Sequence, residues 1–143
     1  MTADRDDGST LPLILVFLAI AVGFVLVTAG ATALHLERLR LLTVADGAAL
    51  AAAESFPVGD ARVQGGTVVP RLSDREVRAA AAAAVDGADA DGLADLRIVE
   101  ARTPEGRTAL VRISATWHPP ISTPLLPVGV PITVVSTASA RFR

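Results

Sequence analysis

The chain has 143 residues, of which 51% are hydrophobic, with a formal net charge of -2 and no cysteine. This length fits one small domain with an appendage. The charge balance and the lack of a basic block argue against nucleic acid as a partner, and the lack of cysteine excludes disulfides, thiol catalysis and cysteine metal sites.

Residues 11–36 are predicted to form a transmembrane helix, preceded by a short leader, residues 1–10. No charged residue occurs from Gly8 to Leu36, and about 20 apolar residues suffice to span a bilayer. Pro12 suits the first turn of a helix, where its missing N–H needs no partner. The apolar segment is longer than that of a cleaved signal. Cleavage at the small residues 29–33, giving an exported protein, stays the alternative.

Small residues recur at steps of three and four along this segment and share one helix face. In lipid, such a face lets another helix approach closely. We therefore expect a helix-packing face in the membrane, although glycine and alanine are common in membrane helices in general. The face consists of Ala19, Gly23, Gly30 and Ala33.

The helix is expected to continue beyond the membrane as an extension, residues 37–56, because no proline interrupts residues 13–56. Roughly 43 residues at about 1.5 Å each give a rod of about 65 Å, more than twice the hydrocarbon thickness of about 30 Å. An apolar stripe on the extension is predicted to be covered by the rest of the chain. Its residues are Leu39, Leu42, Ala45, Ala49, Ala52 and Phe56.

The stretch TVADGAALAAAESF, residues 43–56, is predicted to be the seam between the helix and a head. Ala49, Ala52 and Ala53 are expected to let a sheet lie close to the helix, and Gly47 to do the same at a cost of about 1 kcal/mol in helix stability. Asp46 has no cation three or four residues away. We predict a backbone or arginine donor for it from the head or a neighbouring subunit; exposure to water is the alternative.

Residues 57–143 are predicted to form an α+β head. A loop with one short strand leads into the helical segment SDREVRAAAAAAVDG, in which Ser73 and Glu76 form a capping-box pattern and Gly87 is a stop. Three strand patterns follow, at 94–102, 108–118 and 131–143. The fold class is therefore a long transmembrane helix continuing into a head with a short helix and a three- to four-stranded antiparallel sheet.

No residue pattern predicts an enzyme, a cofactor or a metal site. His35 and His118 have no partner at a motif spacing, and the acidic run at residues 86–95 fails the calcium-loop pattern. The proline-rich loop 119–131 is predicted to contact the membrane or a partner through Leu125, Leu126 and Val128, or else to fold back over the sheet.

Three motifs in order, DGSTLPLIL at residues 7–15, HLERLRLL at 35–42 and ADGAALAAA at 45–53, resemble the TadE/TadG-like pilus-assembly family, most closely its TadG-related actinobacterial members. The resemblance covers about the first 56 residues. It implies a pilin-like, single-pass membrane protein that is a structural or accessory component of the Flp (Tad) pilus and secretion machinery. Its implied partners are the bilayer and other Tad/Flp pilin-like and platform proteins, in a hetero-oligomeric assembly.

The resemblance also implies a cytoplasmic N-terminus and an extracytoplasmic head. The arginine count, Arg5 before the span against Arg38 and Arg40 after it, favours the opposite orientation. A processed prepilin has glutamate five residues after the glycine that ends its leader, whereas Leu13 stands five residues after Gly8. Cleavage after Gly8 is therefore left open, and a membrane-anchored envelope binding module unrelated to pili is the alternative function.

Overall fold

The structure, a computed structural model, describes residues 10–55, 62–64, 67–69, 71–88, 93–118 and 129–140. Its elements are α1 (Thr10–Glu54), β1 (Arg62–Gln64), β2 (Thr67–Val69), α2 (Asp74–Asp86), β3 (Ala94–Arg102), β4 (Thr108–Trp117) and β5 (Val130–Ser139). The predicted α+β class is confirmed: a long apolar helix precedes a short helix and a three-stranded antiparallel sheet.

Helix α1 is unbroken over 45 residues, a length of about 67 Å. Within the described residues it is the one helix long and apolar enough to cross a membrane, and it fits a single-pass anchor. Its threonines suit a lipid environment: the hydroxyls of Thr28 and Thr32 donate to the carbonyls of Phe24 and Thr28, at 2.8 and 2.9 Å. These hydroxyls are thus paired without water.

The head covers one face of the outer half of α1. The buried residues of the helix are Glu37, Leu41, Ala45, Ala48, Ala49, Ala52 and Ala53. The prediction that Leu39 lies on the covered face is wrong, because its side chain is 46% exposed. The head lies instead along the line on which alanines recur every three or four residues, where the small side chains allow a closer approach. Phe56 lies outside the described residues.

Helix α2 begins and ends where the sequence predicts. The hydroxyl of Ser73 accepts from the backbone N–H of Glu76 at 3.3 Å, and the Glu76 carboxylate accepts from the backbone N–H of Ser73 at 3.1 Å. This capping box satisfies two donors at the helix start. Gly87 is the C-cap and donates to the carbonyl of Ala83 at 3.1 Å. Val77 and Ala81 are fully buried, so α2 has the predicted apolar face.

The sheet has the strand order β3-β4-β5, with antiparallel pairing throughout. Ile113 in the central strand pairs with Ile98 on one side and with Val134 on the other. Helix α1 packs against β4, β5 and α2, while α2 also contacts β3. A single core cluster contains residues of both helices together with Val111, Ile113 and Val134. The two helices therefore form one layer over the sheet.

The turn between β3 and β4 is fastened to the start of α2. The backbone N–H of Leu72 donates to the carbonyl of Gly106 at 2.8 Å, and that of Thr103 donates to a carboxylate oxygen of Asp74 at 2.8 Å. Gly106 has φ +70, a conformation that glycine adopts without strain. The segment before α2, for which one short strand was predicted, contains the hairpin β1–β2 instead.

Candidate functional site

The seam between α1 and the head is built almost entirely from alanine on the helix side. Ala45, Ala48, Ala49, Ala52 and Ala53 are each at most 1% exposed. Alanine is the strongest helix former and also the smallest side chain with a Cβ. These residues therefore keep α1 helical while the sheet and α2 approach its backbone. The structure places Ala49, Ala52 and Ala53 in the core cluster that joins α1 to the head.

Asp46 lies at the border of the covered face and contacts the sheet. The hydroxyl of Ser136, in β5, donates to Oδ1 of Asp46. Among the described residues, the donor is thus a serine hydroxyl of the head and neither an arginine nor a backbone N–H. Asp46 remains exposed, so water solvates its charge and a neutral donor suffices. Sequence alone gives one sign of this contact, since Ser136 continues the inward alternation of Ile132 and Val134.

Gly47 does not serve the close approach that the sequence suggests. It lies on the exposed side of α1, and a Cβ built on it meets no atom within 4 Å. The alanines alone allow the close approach of the sheet, because they face the head and Gly47 faces away from it. The described part of the chain leaves the space over Gly47 open.

Glu37 is a buried carboxylate at the start of the covered face that the sequence analysis did not single out. It is 8% exposed, and its Oε2 lies 3.4 Å from Nη1 of Arg40, whose side chain is 64% exposed. A buried charge needs such a partner. The available signal is spacing: Glu37 stands seven residues after Gly30, which is almost two helical turns and hence the same face.

The predicted helix-packing face in the membrane continues the line that the head covers. Gly23, Gly30 and Glu37 follow one another at steps of seven, and Ala19 and Ala33 lie beside them. A Cβ built on Gly23 or on Gly30 meets no atom of the described residues within 4 Å. Packing of another helix there stays a prediction. The predicted contact loop, with Leu125, Leu126 and Val128, lies outside the described residues.

The remaining polar groups do not converge on a catalytic arrangement in the part of the chain that the structure describes. His35 on α1 and His118 after β4 are both exposed. No three histidine, aspartate or glutamate side chains among the described residues are placed to hold a metal ion. Glu100 pairs with Arg102 and, at 3.5 Å, with Arg112. Such exposed pairs contribute at most about 1 kcal/mol.

One family model matches the chain. It is described as Putative Flp pilus-assembly TadE/G-like, and it covers residues 8–55. The match confirms the resemblance predicted for the first 56 residues and coincides with α1, whose bounds lie within it. It indicates a role related to the Flp/Tad pilus, an assembly function. No curated protein and no solved structure matches the chain.

Replacing Ser136 with alanine should weaken the seam. The change removes the donor to Asp46, and a hydrogen bond of this kind contributes about 0.5–1.5 kcal/mol. We expect a loss of that size in the free energy of unfolding, measured by denaturant titration in detergent with the fluorescence of Trp117. Thr137→Val, which removes an exposed hydroxyl on the same strand, is the control. Equal losses for both variants, or additive losses for Ser136→Ala and Asp46→Ala, which removes the acceptor, would contradict the contact.

Proposed function

We propose that this chain is a structural, pilin-like or accessory membrane component of a Flp/Tad-type pilus assembly and secretion system. The observation that carries the proposal is the family match over residues 8–55, which takes in the whole of α1. The matched part is thus the membrane helix together with its extension into the head. The proposed role consists of contacts between proteins and assigns the chain no catalytic step and no cofactor.

In the membrane, α1 packs with helices of other pilin-like or platform proteins through Ala19, Gly23, Gly30 and Ala33. A general principle and one observation support this part of the proposal. Helix backbones come closest where side chains are small, and this close packing favours helix association in lipid. Within the described structure the space over Gly23 and Gly30 is open, since an added Cβ there meets no atom within 4 Å.

Outside the membrane, the head makes the second set of contacts in a hetero-oligomeric assembly. The helix that carries it is continuous from Thr10 to Glu54, so a force or displacement at the head is transmitted along a rod rather than through a flexible linker. Among the described residues, the helices pack on the face of the sheet that carries Val111, Ile113 and Val134. Val99 and Val135, which are 51% and 45% exposed, give the head apolar surface that is available to a partner.

The proposed orientation places the N-terminus in the cytoplasm and the head outside the cell membrane. Alkaline phosphatase is active only after export, so a fusion after Arg143 should be active and a fluorescent protein that folds only in the cytoplasm should be dark at the same position. The reverse pair of results would contradict this orientation and would favour the arginine count.

Deletion of the gene in its native host should abolish Flp pili, and the unsubstituted gene should restore them. Gly30→Ile should restore few pili, because the added side chain holds a neighbouring helix away from α1. Ala31→Ile, at the next position and off the small-residue face, is the matched control and should restore pili fully. Immunoblots of membranes check that both variants accumulate to the level of the unsubstituted protein, and the pili are counted by electron microscopy.

The outcomes separate the parts of the proposal. Normal piliation after deletion would contradict the pilus role and favour a membrane-anchored envelope module. Loss of pili on deletion with full rescue by Gly30→Ile would keep the pilus role and reject the helix-packing face.

A further inference from the structure

Strand β5 is an edge of the sheet, and the backbone groups on its outer side have no hydrogen-bond partner among the described residues. The backbone N–H of Ala140 donates to the carbonyl of Arg107 at 2.9 Å. In an antiparallel ladder, the backbone groups of successive residues point alternately to one neighbour and to the other side. The groups that point away from β4 therefore belong to four exposed residues, Thr133, Val135, Thr137 and Ser139.

The two edges of the sheet differ in charge and in regularity. The β3 edge carries four charged residues, Asp95, Arg97, Glu100 and Arg102. Its register with β4 also shifts at two places. Charged side chains and irregular pairing keep other strands away from an edge. Strand β5 has no charged residue, and its pairing with β4 is unbroken over residues 130–139. Of the two edges, the β5 edge is therefore the one open to a further strand.

Two exposed leucines of α1 border this open edge. Helix α2 contacts α1 and β3, while α1 contacts β4 and β5, so the side of α1 away from α2 lies over the β5 edge. Asp46 marks that side through its contact with Ser136 of β5. Leu39 and Leu50 stand seven residues before and four residues after Asp46, which places them on the same side of the helix. They are 46% and 55% exposed, and Leu50 lies about 21 Å beyond residue 36, the predicted end of the span, so lipid does not cover it.

We propose that the β5 edge receives an extended segment of another protein, which pairs with β5 as a further strand of the sheet. An extended polypeptide carries N–H and C=O groups at the spacing of an open strand edge. In such an arrangement the backbone hydrogen bonds supply affinity, and alternate side chains of the added segment supply specificity. We call this surface the strand-addition site. It consists of Thr133, Val135, Thr137 and Ser139 of β5 with Leu39 and Leu50 of α1.

The residues around the strand-addition site determine which side chains the added segment carries. Successive side chains of a strand point to opposite faces, so alternate residues of the segment face α1, and those near Leu39 and Leu50 are apolar. Asp46 lies between the two leucines, is exposed and forms no ion pair with a described residue, so the residue that faces it is positively charged. On the other face of the sheet the segment lies beside Val135, which is 45% exposed, and carries a further apolar residue there.

A second copy of this chain does not fit the site by antiparallel pairing of its own β5 edge. Two copies joined in this way are related by a two-fold axis perpendicular to the sheet, and this axis reverses every direction in the plane of the sheet. It therefore reverses α1, because the helices form a layer over the sheet. The two membrane anchors would then point in opposite directions, whereas both must enter the same membrane.

Amide hydrogen exchange tests the pairing at single residues. The full-length chain is purified in detergent twice, once alone from a bacterial host without Tad genes and once with its bound partners from membranes of the native host. The four outward amides of the strand-addition site should exchange rapidly in the chain alone and at least about tenfold more slowly in the complex. The amides of Val134 and Ser136, which pair with β4, should be slow in both samples.

Substitutions at Val135 separate backbone contacts from side-chain contacts. Val135→Pro removes an outward N–H, and an edge strand tolerates proline where the N–H faces outward. Val135→Ala keeps the N–H and shortens the side chain, so it is the matched control. We expect Val135→Pro to recover several-fold less partner from native membranes than Val135→Ala, after denaturant unfolding followed by Trp117 fluorescence has checked that both variants fold. Equal recovery by the two variants would contradict a backbone contact.

Outward amides that exchange as rapidly in the complex as in the chain alone would overturn the proposal. Slow exchange in the chain alone would overturn it as well: at every concentration it would indicate a segment of this chain as the occupant, and only where the chain dimerises it would indicate a second copy. The inference rests on the proposed function only in giving the head a partner outside the membrane. Normal piliation of the deletion strain would reject the pilus role and leave the exchange result standing. Unprotected amides in a host that loses its pili on deletion would reject the strand addition alone.

Discussion

The rest of this structure depends on the packing of a small sheet against a face of alanines on α1. The head has one short helix and three strands in its main sheet, and so little secondary structure cannot enclose a core by itself. Its core is completed by Leu41 and the alanines of α1, which belong to the same cluster as Ile113 and Val134. The head is therefore stable only while the outer half of α1 is helical.

That dependence ties the membrane segment to the head. Since α1 is one helix, its extension is a support for the head and at the same time a continuation of the anchor. The two faces of the helix differ accordingly. One line runs through Gly23 and Gly30 and is covered by the head from Glu37 onward. The opposite side of the helix stays exposed. The membrane helix and the folded head thus act as one unit, which suits a component that works by assembly.

Local patterns predicted the elements well because they act over a few residues. The capping box at Ser73 and Glu76 and the alternation of Val111 and Ile113 are complete within single elements. Such local patterns could not predict which face of α1 the head covers. Leu39 and Leu41 both fit an apolar helical face. Leu41 is the buried one because the sheet, formed by residues later in the chain, packs on its side of the helix.

The contact of Asp46 with Ser136 joins residues 90 positions apart. The alternation along the strand indicates that Ser136 points inward, but it does not indicate which helix residue Ser136 meets. The burial of Glu37 could not be predicted for a related reason. A carboxylate in a solvated link and a carboxylate covered by a head have the same sequence pattern. The predicted helix-packing face in the membrane is a different case: its residues could be read from spacing, but a partner helix would have to come from another chain.

Enlarging one seam alanine tests the alanine contact most directly. Ala52 is 0% exposed, and Ala52→Leu forces extra volume between α1 and the head, whereas Ala82→Leu makes the same change on the exposed side of α2. Denaturant unfolding in detergent, followed by Trp117 fluorescence, should show a loss of about 1–3 kcal/mol for Ala52→Leu. Ala82→Leu should stay within about 0.5 kcal/mol of the parent. An Ala52→Leu variant as stable as the parent would contradict the close packing of the head on α1.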